Sequence, residues 1–250
     1  MRRLSSLLAV LAALLATPAL AQEVPPLPKV SWSFQGPFGT FNEAALQRGF
    51  QVYKEVCSNC HSLNLVHYRD LAGIGLNEAE IKAVAASVQV PGGIDKQGKP
   101  FDRPGRPADA FRNPWPNPEA AIAVFGIQPP DLSLMANARV GGPTYIYALM
   151  NGFKKPPAGM KVLPGHYYNE YFPGHQIAMP PPLHAGVVTY ADHTKATVPQ
   201  MAHDVATFLD WAANPEMQAR KQLGVHIVLF LVFLTGLTYA VKRKIWSDVH

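Results

Sequence analysis

The chain has 250 residues, 48% of them hydrophobic and 16% charged, a balance that excludes a disordered, solvated polymer. Its 19 glycines and 24 prolines stay below the share expected of low-complexity sequence but call for long irregular connections. The formal charge of +5 sits at the ends: Arg2 and Arg3 open the chain, and Arg220, Lys221, Lys242, Arg243 and Lys244 lie near its close. Between Gln22 and Ala219, 15 basic residues face 16 acidic ones, so no basic surface argues for nucleic acid.

In chain order, residues 1–21 place two arginines before the apolar stretch Leu7 to Leu15 and end on Ala19-Leu20-Ala21. This is the pattern of a secretory signal peptide cleaved after Ala21, and the apolar stretch is too short to serve as a spanning anchor. The next element is a helix. Thr40-Phe41-Asn42-Glu43 reads as a capping box, and Leu46, Phe50, Tyr53 and Cys57 recur at helical spacing behind it.

That helix leads into Cys57-Ser58-Asn59-Cys60-His61, which holds the only two cysteines of the chain. Cys-x-x-Cys-His is the attachment pattern for a c-type haem. Two thioether bonds and one imidazole must reach a porphyrin from the same side of the backbone, and positions i, i+3 and i+4 share a helix face. A disulfide or a redox-active dithiol would use the same cysteines but gives His61 no task, and no further Cys or Cys-His cluster completes a zinc site. One covalently attached haem c is therefore expected, with His61 as the first axial ligand.

Residues 91–118 carry prolines at 91, 100, 104, 107, 114, 116 and 118 and show no periodicity, so they read as a surface excursion. The second axial ligand is sought among the methionines, since thioether ligation raises a haem's potential. Met201 falls in the stripe Met201, Val205, Phe208, Leu209, Ala212, behind a Thr197 to Gln200 capping box, and reads as core. Met135 and Met150 lie in segments compatible with helices, Met160 in a Pro/Gly loop, and Met179 just before Pro180-Pro181-Pro182. Spacing alone leaves the choice open. Finally, Leu223 to Val241 is 19 residues without Asp, Glu, Lys or Arg, followed by Lys242-Arg243-Lys244. That is a transmembrane helix with a cytoplasmic C-terminus, because a core helix of this length would show a polar face.

These motifs resemble the cytochrome c1 family, the haem-bearing subunit of the ubiquinol-cytochrome c reductase (cytochrome bc1) complex, in its alpha-proteobacterial form. The resemblance spans nearly the whole mature chain. It rests on Tyr53 to Ser62, Asn117-Pro118-Glu119-Ala120, Pro129-Pro130-Asp131-Leu132-Ser133, Ala138-Arg139 before Gly141-Gly142, Tyr171-Phe172-Pro173-Gly174 with Ile177-Ala178-Met179, Phe208-Leu209-Asp210-Trp211, and the C-terminal anchor. It implies Met179 as the axial methionine, Arg139 as the partner of a haem propionate, Tyr145 as an aromatic near the haem and Pro130 as a residue packed against it. Two departures stand out. The second cysteine pair that stiffens the methionine loop in some bacterial relatives is missing, leaving the proline run to do so. The segment Tyr190 to Lys195, moreover, offers only Asp192 to a basic acceptor.

The expected fold is mainly α: a c-type cytochrome domain with long loops plus one C-terminal transmembrane helix. The expected divisions are a signal peptide over 1–21, a periplasmic monohaem domain over 22–219, an anchor over 220–244 and a short cytoplasmic tail over 245–250. The implied function is electron transfer from a Rieske iron-sulfur protein to a soluble cytochrome c, beside cytochrome b in the bacterial inner membrane. The rival readings are a monohaem oxidoreductase with an open sixth site and an anchored, disulfide-bonded interaction protein.

Overall fold

The computed structural model describes residues 24–249, so the signal peptide expected over 1–21 lies outside them. Helix α1 spans Glu43–Glu55 and is capped by Asn42, whose side chain accepts from the Ala45 amide. Thr40, the expected cap, instead donates its amide to the Ser33 carbonyl in the preceding turn, so the helix starts two residues later than its sequence pattern suggested. The helix buries one face, with Leu46, Phe50, Val52 and Tyr53 in the core, and it stops before the cysteines.

After a strand β1 at Leu63–His67 and a 3₁₀ stretch comes α2, Glu78–Ala86, with a full capping box between Asn77 and Glu80. The proline-rich segment runs over the surface as expected, but it is not without secondary structure. It contains two paired strands, β2 at Gln89–Ile94 and β3 at Pro100–Pro104, and then β4 at Ala110–Phe111, which pairs antiparallel with β1. Prolines are tolerated in two-stranded edges because each strand leaves one side unpaired. Phe111 ends up in the core, with ring centroids 4.2 Å from Tyr68 and 5.8 Å from Tyr53.

Three short helices follow: α3 at Pro118–Phe125, α4 at Met135–Ala138 and α5 at Pro143–Asn151. A small hairpin pairs β5, Tyr167–Tyr168, with β6, Gln176–Ile177. The central element is α6, Val198–Ala213, capped by Thr197 as expected and buried almost all round from Met201 to Ala212. It crosses α1 at Gly49, where an added Cβ would stand 2.1 Å from the Asp204 carbonyl oxygen, so only glycine permits this approach. Phe208 of α6 stacks between Phe50, Tyr53 and Trp211, and truncating so buried a ring costs about 3–5 kcal/mol.

Helix α7 runs over Met217–Ile245, with a mean hydropathy of 2.1 in its most apolar window and no buried residues there; by length and composition it can cross a membrane. Its first turn begins before the expected anchor boundary and belongs to the globular part. Gln218 Oε1 accepts from the Phe41 amide at 2.8 Å, and Lys221 Nζ donates to the carbonyls of Phe34 and Gly39 at 2.6 and 3.0 Å. Nearby, burial raises the Asp210 carboxyl to about 6, with the Lys221 charge pulling the other way.

Candidate haem site

The end of α1 explains why the cysteines sit where they do. A helix leaves its last carbonyls without partners. Here the two residues between the cysteines satisfy them: Ser58 Oγ donates to the Lys54 carbonyl at 2.6 Å, and Asn59 Nδ2 donates to those of Glu55 and Val56 at 3.1 and 3.2 Å. The chain then tightens into a 3₁₀ turn at Cys57–Asn59, and the amides of Cys60 and His61 both donate to the Cys57 carbonyl, at 3.1 and 2.9 Å. The expected α-helical face is thus replaced by a single tight turn, which still gathers both thiols and the imidazole. The thiols are not joined in a disulfide. Burial pushes the Cys57 thiol up to about 12, with the neighbouring Cys60 adding to the shift.

His61 is oriented from behind. Its Nδ1 lies 2.7 Å from the Pro130 carbonyl oxygen, which fixes this nitrogen as the protonated one and leaves Nε2 free to bind a metal. Burial lowers the imidazole's pKa, against smaller opposing effects from the Pro130 carbonyl and Asp131, so the ring is neutral as a ligand requires. Pro130 therefore meets His61 through its carbonyl.

Asp131 holds that carbonyl in register. Its Oδ2 accepts from Ser62 Oγ and the Asn64 amide, both at 2.7 Å, and its Oδ1 from the Ser133 amide at 2.9 Å. The Leu132 amide donates to the Ser62 carbonyl at 2.9 Å, and the Leu65 amide to Ser133 Oγ at 3.1 Å. Burial pushes the Asp131 carboxyl up, but these donors outweigh it and the net shift is downward. The sequence marked Pro-Pro-Asp-Leu-Ser without giving Asp131 a task. The Asp-x-Ser spacing of a side-chain turn was the available signal.

Met179 occupies a separate arm, half-buried in the bend after β6. On its N-terminal side the arm is tied down by Asn169, which is fully buried: Nδ2 donates to the Leu149 carbonyl at 2.8 Å, and Oδ1 accepts from the Tyr171 amide at 3.0 Å. Met135 and Met150 pack on the hydrophobic core and Met201 is inside it, whereas Met160 sits in a turn closed by its amide on the Pro157 carbonyl. Arg139 follows α4, exposed, and Tyr145 is half-buried on α5. Burial raises the Tyr145 phenol while the Arg139 charge lowers it, so these two are neighbours. Val140, beside Arg139, is 96% exposed.

A covalent haem fits this donor set. Two thiols and one neutral, oriented imidazole lie within five residues, and among the described residues no group of three or more His, Cys, Asp or Glu offers a competing metal site.

Comparison with known proteins points the same way. A sequence model described as the cytochrome C1 family matches residues 32–249. Cytochrome c1 of Rhodospirillum rubrum is 47% identical over 240 residues, covering 89% of this chain and 88% of its own. A mitochondrial cytochrome c1 heme protein of Solanum tuberosum is 45% identical over 223 residues, covering 88% of this chain and 85% of its own. A protein named cytochrome b/c1 from Bradyrhizobium diazoefficiens is 46% identical over 246 residues, and there the match covers 89% of this chain but 36% of the longer relative.

Proposed function

This chain belongs to the cytochrome c1 family, the haem-bearing electron-carrier subunits of the bc1 complex, and on that premise we propose the roles of its residues and its direct partners. Cys57 and Cys60 would hold the haem through thioethers, and His61 Nε2 and Met179 Sδ would be the ligands of its iron. The observation that carries this reading is the His61 Nδ1 to Pro130 carbonyl bond of 2.7 Å, which prepares the imidazole next to two unpaired thiols. Met179 is favoured because three of the other candidate methionines are committed to core packing and its arm is held on its N-terminal side by a fully buried asparagine.

When bound, the haem supplies a one-electron Fe(II)/Fe(III) couple. The protein's part is to hold that couple steady. His61 is kept neutral and fixed in one tautomer by the Pro130 carbonyl, and Asp131 keeps that carbonyl in place. Arg139, placed beside Tyr145, offers a fork of donors to a propionate. The electron comes from a Rieske iron-sulfur protein and leaves to a soluble cytochrome c, while cytochrome b packs against α7. The haem domain lies in the periplasm of a bacterial inner membrane, with Lys242, Arg243 and Lys244 on the cytoplasmic side. The chain is exported by its N-terminal 21 residues.

Gentle purification from membranes tests the assembly: cytochrome b and an iron-sulfur protein should accompany the chain. Quinol should reduce its haem only while the iron-sulfur protein is present. Quinol reduction that persists after the iron-sulfur protein is removed would sink the proposed donor.

A further inference from the structure

Arg48 lies on the core-facing side of α1, two turns before the haem-binding turn, and joins three segments of the chain. Its Nε and Nη2 donate to Asp204 of α6 at 2.9 and 3.2 Å, and its Nη1 donates to Asp192 at 2.7 Å. Asp204 is fully buried and takes a further bond from Gln200 Nε2 at 3.0 Å. Asp192 belongs to the segment that leaves Met179. One turn further along α1, Gln51 Nε2 donates to the Thr189 carbonyl in the same segment at 2.9 Å. The Arg48 guanidinium also lies 5.8 Å from the ring centre of Tyr190, which is buried.

That segment has little slack. Three of the four residues after Met179 are prolines, and the fourth, Leu183, is buried in the core. Beyond it the Gly186 amide donates to the Ala196 carbonyl at 3.2 Å, closing residues 186–196 into one loop, inside which the Thr194 amide donates to Asp192 Oδ1 at 3.0 Å. Met179 and this closed loop are thus joined by only a short segment that includes three prolines and one core residue.

We propose that Arg48 is a positioning residue for the sixth iron ligand, stapling the arm that carries Met179 to the helix that presents Cys57, Cys60 and His61. This rests on the reading of Met179 as that ligand. The staple links the helix that ends in the haem-binding turn to the segment that leaves Met179. A guanidinium suits the task because its rigid fork meets two carboxylates from different segments at once.

The test uses the full chain in detergent-solubilised membranes, with four variants: Arg48→Ala, Arg48→Lys, Asp192→Asn and, as a remote surface control, Lys82→Ala. Three properties are read in the folded range: the sulfur-to-iron band of the oxidised haem, the midpoint potential, and the rate of carbon monoxide binding to the reduced haem. Arg48→Ala should weaken the band, lower the potential and speed carbon monoxide binding about tenfold, as expected when about 1.4 kcal/mol of restraint is lost. Asp192→Asn keeps Asp204 paired, so it folds even if Arg48→Ala does not, and should shift the same three properties in the same direction. Arg48→Lys should recover part of the loss, and Lys82→Ala should match the parent.

A merely structural role would lower the unfolding midpoint and leave these properties alone. The staple is overturned if Asp192→Asn and Arg48→Ala keep the parent's band, potential and carbon monoxide rate while Met179→Leu loses the band. If Met179→Leu itself retains the band, the ligand assignment fails first and the staple falls with it.

Discussion

Asp210→Asn should make the protein more stable at neutral pH. Asp210 is 7% exposed near the end of α6, and burial raises its carboxyl from 3.8 to about 6 although Lys221 pulls the other way. Lys221 does not relieve it by a direct bond, because its ammonium is spent on the Phe34 and Gly39 carbonyls. The folded pKa lies above the unfolded one, so the native state holds its proton longer. The stability tied to the protonated carboxyl is complete below about pH 4, falls as pH rises through about 6, and is absent above that. The gap between 3.8 and about 6 corresponds to about 3 kcal/mol. Asparagine keeps the shape without the charge. In detergent-solubilised protein, thermal unfolding followed by circular dichroism should place the variant about 6 °C or more above the parent at neutral pH, with the two converging near pH 4. Melting curves that run parallel from about pH 4 to 8, or a variant less stable at neutral pH, would refute the reasoning and mean that attraction to Lys221 outweighs desolvation.

The remaining expectations concern the site and the root of α7. Cys57→Ser combined with Cys60→Ser should abolish the haem that otherwise stays bound through denaturing electrophoresis, and a positive haem stain in the double variant would remove the attachment assignment. Met179→Leu should lose the sulfur-to-iron band and bind carbon monoxide once reduced; if Met160→Leu does so instead, the ligand is Met160. Asp131→Ala strips acceptors from the amides of Asn64 and Ser133 and should cost about 3 kcal/mol in urea unfolding, with a shifted haem potential as the Pro130 carbonyl loses register. A chain ending at Ala219 should melt below one ending at Leu223, because only the longer one keeps the Lys221 bonds to the 34–39 turn; equal melting points would show that the clasp is inconsequential.

What the sequence disclosed was local. The Cys-x-x-Cys-His motif, the apolar run from Leu223 and the stripe from Met201 are each contained in one window; the latter two form the expected helices, and the motif forms a tight turn in place of a helix face. The sequence pattern pointed to Thr40 as the cap, but the bond of its amide to the Ser33 carbonyl draws it into the preceding turn and leaves Asn42 to cap the helix. The strands among the prolines escaped notice because their pairing, Gln89 with Pro104 through Ile94 with Pro100, has no alternating pattern and buries little beyond Val90. Arg48 with Asp204 and Asn169 with Leu149 were illegible for a different reason. Such bonds join residues 156 and 20 positions apart, and nothing in either neighbourhood announces a partner.

The Lys221 clasp governs how the redox centre is mounted. Two charge-assisted bonds and the Gln218 contact leave no free hinge between the helix that enters the lipid and the turn just ahead of α1. The turn that carries Cys57, Cys60 and His61 is therefore held in one orientation to that helix. A domain fixed in this way does not swing on its anchor, so any redox partner has to meet it in the one orientation its helix sets.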